Sequence, residues 1–86
     1  MPTISQFFGI AIRMYYDDHG LPHFHAYYGN QAAKVDIETL YVREGALPRR
    51  AMDLVLEWAG SHRSELLEDW RLAERHQPLK KIAPLE

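Results

Sequence analysis

HFHAYYGNQAAKVDI, residues 23–37, holds two β-prone runs joined by Gly29-Asn30. Aromatic and β-branched residues suit a pleated, half-buried backbone, and a Gly-Asn pair supplies the positive φ that a two-residue primed turn requires. The stretch therefore predicts an antiparallel hairpin. Its register follows from the turn. Tyr28 faces Gln31, Ala26 faces Ala33 and Phe24 faces Val35 on an apolar face, while the other face sets His25 opposite Lys34 and His23 opposite Asp36.

Working upstream, FGIAIRMYY (residues 8–16) places Ile10, Ile12, Met14 and Tyr16 at period two, with Gly9, Ala11, Arg13 and Tyr15 on the opposite side. This reads as the first strand. The polar connection that follows carries Asp17, Asp18, His19, Gly20 and Pro22, and Pro22 keeps Leu21 out of the helical region. Downstream, Glu38 and Thr39 end the hairpin and LYVRE (residues 40–44) predicts a short fourth strand before Gly45.

At Pro48 the period changes. Proline is favoured in the first turn of a helix, and from there to residue 76 Ala51, Leu54, Val55, Trp58, Ala59, His62, Leu66, Trp70 and Ala73 fall on one side at period 3.6. The stripe keeps its phase, so one long helix is expected, with a weak spot at Gly60-Ser61 because glycine costs about 1 kcal/mol against alanine there. Pro78 stops the helix, and Leu79, Ile82 and Leu85 in the tail are expected to dock on the sheet or on a partner. The predicted fold is α+β: a four-stranded antiparallel meander (8–44), one long C-terminal amphipathic helix (48–76) and an extended tail (78–86), in a single domain over 1–86. The expected core is Ile10, Ile12, Met14, Phe24, Ala26, Val35, Leu54, Val55, Trp58, Leu66 and Trp70.

Composition narrows the function classes. Hydrophobic residues make up 47% of the 86, enough to cover one core, so the chain is no disordered tail. Without cysteine there is no disulfide framework, thiolate cluster or cysteine nucleophile, and a reducing cytoplasm is the expected location. The apolar N-terminal stretch lacks a basic flank and is interrupted by Arg13, so neither a signal peptide nor a membrane span is expected. A formal net charge of −2 offers no long-range attraction to a phosphate backbone. Arg49-Arg50 and Lys80-Lys81 are the only adjacent basic pairs. No phosphate-binding glycine loop, nucleophile elbow or dinucleotide fingerprint is present.

Two arrangements can carry chemistry. His19, His23 and His25 are the candidate metal ligands: residues 23 and 25 share one face of a strand, and His19 lies on the loop before it. In the second, the register sets His23 across from Asp36, and pairing of the first two strands brings Arg13 and Tyr15 to the same polar face as His25. A histidine oriented by a carboxylate is a general acid/base, an arginine binds phosphate, and a tyrosine stacks on a base. His23, His25, Asp36, Arg13 and Tyr15 would then be the catalytic set of a metal-independent ribonuclease. The competing reading of both arrangements is a solvated sheet face with cross-strand ion pairs. No cofactor is expected.

PTISQFFGIAIRMYYDDH (2–19), PHFHAYYG (22–29), DIETL (36–40), EGALPRRA (44–51), LEWAGSHRSELLEDW (56–70) and PLKKIAPLE (78–86) together resemble domain of unknown function 4160 over nearly the whole chain. PHFHA, Pro22 to Ala26, is the most diagnostic piece. The resemblance implies a small cytoplasmic prokaryotic protein whose gene neighbours one for a domain of unknown function 2442 protein, the two forming a toxin–antitoxin module. It brings no catalytic residues to transfer. The expected function is accordingly a protein-binding module of such a pair, with the ribonuclease or RNA-binding reading as its alternative and homo-oligomerisation as the other form of partnership. Whether the chain is an enzyme stays open at this point.

Overall fold

The computed structural model describes residues 2–86, and their chain runs through five strands and two helices: β1 (Thr3–Phe7), β2 (Ile10–Arg13), β3 (His23–Tyr28), β4 (Gln31–Asp36), β5 (Val42–Gly45), α1 (Arg49–Ser61) and α2 (Arg63–Glu74). The strands pair antiparallel in sequence order, so the sheet is a meander. The hairpin of β3 and β4 has the expected register at every position, from His23 opposite Asp36 to Tyr28 opposite Gln31. Its Gly29 sits at φ 60, as the first central residue of a primed turn does.

The four expected strands are five. The predicted strand over 8–16 is interrupted by a turn at Phe8-Gly9, both residues with positive φ (49 and 80), and a further strand precedes it. A bulge between Thr3 and Ser5 lets both Ile4 and Ser5 turn inward, which breaks the alternation that would have marked this strand in the sequence.

The single long helix is two. Helical geometry lapses at His62 (φ −127), one residue after the Gly60-Ser61 weak spot, and Leu66 N–H resumes the ladder onto the His62 carbonyl at 2.9 Å. The His62 ring bonds Glu65 Oε1 at 2.6 Å, a local interaction that favours starting a new helix at this point. The apolar stripe survives the break, since Val55, Trp58 and Ala59 of α1 and Leu66, Trp70 and Ala73 of α2 are all buried. α2 closes with a Schellman motif: Gln77 N–H reaches the Leu72 carbonyl, His76 N–H reaches Ala73, and His76 takes the left-handed conformation.

The helices cover the sheet face that carries Ile10, Ile12, Phe24, Ala26, Ala33 and Val35, all buried in one hydrophobic cluster. Trp58 lies at its centre, fully buried, with ring centroids 5.3 Å from Phe7 and 6.0 Å from Phe24. Of the expected core only Leu54 is partly exposed. The tail has no regular structure and folds back on its own chain. Ile82 is buried and donates its N–H to Ile4 of β1 at 2.8 Å, the Trp58 indole N–H donates to the Ala83 carbonyl at 2.8 Å, and Lys80 N–H donates to Asp69 Oδ1 at 2.9 Å. Burial raises the Asp69 carboxyl above its usual range, and the bond from Lys80 partly offsets that. No helix among the described residues is long and apolar enough to cross a membrane.

Candidate functional site

Strand alternation sends His23, His25 and Tyr27 to the side of β3 opposite Phe24 and Ala26, and β2 adds Arg13 directly across from His25. Beyond the end of β2 the chain continues far enough for Tyr15 to join them. Its hydroxyl pairs with that of Tyr27, and its ring meets His25 edge-on at 4.6 Å. Four of the predicted site residues, Arg13, Tyr15, His23 and His25, are thus gathered on one face.

Asp36 and His19 do not join in the expected way. Asp36 lies opposite His23 in register, but its carboxylate is taken by Arg43, with Nε at 2.8 Å and Nη2 at 2.6 Å, the two-pronged geometry guanidinium prefers. That pairing raises the Arg43 guanidinium further above its already high range. Asp36 is buried, and a buried carboxylate needs such a partner, so the nearest cation wins over the neutral-capable imidazole across the strand. His19 is exposed on the loop, outside the cluster.

Asp18 takes the place of both. Its Oδ2 lies 3.1 Å from His23 Nε2 and 2.9 Å from His25 Nε2, so one carboxylate oxygen meets two imidazoles. His23 is held hard: its Nδ1–H donates to the Leu21 carbonyl at 2.9 Å, and its ring packs 5.0 Å from Trp70 and 5.2 Å from His25. His23 itself is not solvated, because Trp70 of α2 packs against its ring and its side chain is 4% exposed. His25 and Asp18, at 17% and 25%, keep an opening to water.

The surrounding polar groups are already engaged. Arg13 donates to Thr3 Oγ1 at 3.2 Å with its guanidinium carbon 5.1 Å from the Tyr27 ring centre, and Lys34 pairs with Glu44 at 3.2 Å. The Tyr27 phenol is pushed up to about 12, first by burial and next by its bond with Tyr15. Tyr27 and Asp18 are the residues that sequence reasoning passed over. Tyr27 was visible, since it continues the period-two row of His23 and His25. Asp18 was visible only as an acidic neighbour, because a loop residue has no periodicity to aim it.

Between the β1–β2 turn, α1 and the tail lies a groove of about 400 Å³ with an apolar lining of Phe8, Ile10, Tyr28, Leu54 and Leu85 and with Arg50, Glu57 and Glu86 also on its wall. Phe8 is 59% exposed at its mouth.

The fold and its two surfaces define an α+β protein with an antiparallel meander, a helical pair on one face and a two-imidazole, one-carboxylate cluster on the other. The chain belongs to the family described as domain of unknown function (DUF4160), whose model matches residues 9–71. The match is narrower than the resemblance read from the sequence, and it leaves β1 and the tail outside. No curated protein and no solved structure matches the chain.

Proposed function

We propose that the chain is a protein-binding module, the member of a cytoplasmic prokaryotic toxin–antitoxin pair that receives an apolar side chain of its partner in the groove beside Phe8. One observation carries this reading. Phe8 holds a left-handed backbone (φ 49), which costs an L-residue about 1–2 kcal/mol, and yet its ring stays 59% exposed at the mouth of an apolar groove. The turn sets the backbone, but a large apolar side chain left exposed beside a groove suits a surface that something else completes. The partner envisaged is the protein of the neighbouring gene, of the domain of unknown function 2442 type, presenting an aliphatic or aromatic anchor with charges to meet Arg50 and Glu57.

The tail bears on this. Of its apolar residues Ile82 is buried in the chain's own core, and only Leu85 reaches the groove. Docking by a freely available tail has less support than docking onto the groove that the tail helps to wall. The RNA-directed alternative has less support as well, because Lys34 is paired with Glu44, Arg13 bonds Thr3 and lies over the Tyr27 ring, and both Nε2 atoms aim at one point instead of flanking a scissile bond.

Co-expression with the neighbouring gene's product, followed by light scattering, is expected to give a complex that Phe8→Asn weakens at least tenfold while circular dichroism stays unchanged. A chain that ignores that product, or a complex indifferent to Phe8→Asn and Leu54→Glu, would overturn the reading. RNA cleavage lost on His25→Ala would replace it with the catalytic one.

A further inference from the structure

Asp18, His23 and His25 pose a problem of lone pairs. The Leu21 carbonyl accepts the Nδ1–H of His23, and a neutral imidazole with its proton there presents a bare lone pair at Nε2. That lone pair faces Asp18 Oδ2 at 3.1 Å, and His25 Nε2 faces the same oxygen at 2.9 Å. His25 can reach that oxygen from Nε2–H as a neutral imidazole, but His23, with its proton on Nδ1, meets it only through a second ring proton or a positive ion held between them. An extra proton on His23 is one solution; a metal ion held by all three residues is the other.

The geometry points to the metal, and we infer that Asp18, His23 and His25 form a binding site for one divalent transition-metal ion of the zinc or cobalt type. Ligands about 2.1 Å from an ion stand about 3.0–3.4 Å apart at octahedral or tetrahedral angles. The carboxylate-to-imidazole separations of 2.9 and 3.1 Å are close to that spacing, and all three atoms fall within 4.8 Å of one another. The donor set, two imidazoles and a carboxylate with no thiolate, suits first-row transition ions rather than calcium or magnesium. The supporting bonds are those of a ligand shell: the Leu21 carbonyl fixes the His23 tautomer, Trp70 fixes its ring, and Tyr15 lies edge-on against His25.

Three protein ligands leave positions open, and the opening lies on the accessible side of His25 and Asp18. Beside His25 is a shallow depression of about 370 Å³, bordered also by Ala32, Lys34, Glu44 and Gly45. A site of this kind exchanges ligands instead of merely cross-linking the fold. The inference stands on these residues alone and is independent of the partner proposed for the groove on the other face.

The test uses untagged full-length protein dialysed against zinc(II) or cobalt(II) at pH 7.5. One equivalent of cobalt should bind and give visible d–d absorption, and zinc should displace it. With zinc, the Nε2 resonances of His23 and His25 should shift in imidazole 15N spectra while Nδ1 of His23 keeps its proton. Asp18→Asn and His25→Gln, at the more exposed ligands, should each weaken binding at least about tenfold without unfolding the chain. Binding of less than a tenth of an equivalent of either ion would overturn the site. So would full binding by the Asp18→Asn/His25→Gln double variant, or loss of binding on His19→Ala or His62→Ala in its place.

Discussion

The sheet contains two tight two-residue turns, and they are built on opposite terms. In the β3–β4 turn Gly29 occupies the left-handed position, where a Cβ would meet open space, and glycine adopts that conformation without strain. In the β1–β2 turn Phe8 stands at φ 49 ahead of Gly9 at φ 80, with Tyr28 close enough that a Cβ on Gly9 would lie 3.4 Å from its ring. The first turn is specified by its own residues. The second is imposed by the pairing of β1 with β2 and by the burial of Phe7 and Ile10 on either side of it. Where local chemistry and global fold agree, a turn explains itself; where they conflict, the pairing of the flanking strands overrides the preference of the residue between them.

The largest test of this contrast removes what the two hairpins share. Trp58 packs on Phe7 from one and Phe24 from the other, so Trp58→Ala should cost about 3–5 kcal/mol in denaturant unfolding and loosen both together. Survival of the β3–β4 hairpin's amide protection in that variant would show that the hairpins are not one cooperative unit. Next come the glycines. Gly9→Ala and Gly29→Ala should each cost about 1–2 kcal/mol, because both force alanine into the left-handed region, and a Cβ on Gly9 meets Tyr28 only at ordinary contact distance. A clearly larger cost at Gly9 would show that Tyr28 resists the added methyl. Phe8→Asn should run the other way and stabilise the chain by about 0.5–1 kcal/mol, since asparagine tolerates the turn conformation. A variant that is more stable and binds its partner less would join the strain to the function; a destabilised one would show that Phe8 packs more than its exposure indicates.

The smallest effect belongs to the polar side of the second hairpin. The folded Tyr27 phenol is raised to about 12 from an unfolded value near 10, so the native state holds this proton more tightly than the unfolded one. Its contribution is fully present below pH 10 and is lost as pH rises through 12. Ultraviolet titration should show one phenol ionising late, and Tyr15→Phe, which removes the hydroxyl partner, should bring it earlier.

The same contrast explains what could be read in advance. Alternation over Phe24, Ala26, Ala33 and Val35, together with a turn that announces itself, delivered the register of β3 and β4 residue by residue. The β1–β2 hairpin stayed hidden because Phe8 is a poor turn residue and the bulge near Ile4 erases the period of β1. The helix break fell one residue past Gly60-Ser61 because His62 finds a local partner in Glu65, a side-chain bond invisible to a period of 3.6. At the candidate site, the strands fixed which of Arg13, His23, His25 and Tyr27 share a face. The choice between Asp36 and Asp18 depended on Arg43 and on the path of a loop, and neither follows from strand spacing.

The bond from Ile82 to Ile4 joins positions 78 residues apart. A ribosome adds about 5–20 residues per second, so β1 waits about 4–16 s after its own synthesis before the segment that closes against it has been made. Through most of that interval the N-terminal hairpin lacks Trp58 to pack on, and through all of it the tail that pairs with Ile4 is missing. The order of synthesis therefore leaves the backbone pairing of Ile4 with Ile82 among the last contacts of the sheet to close.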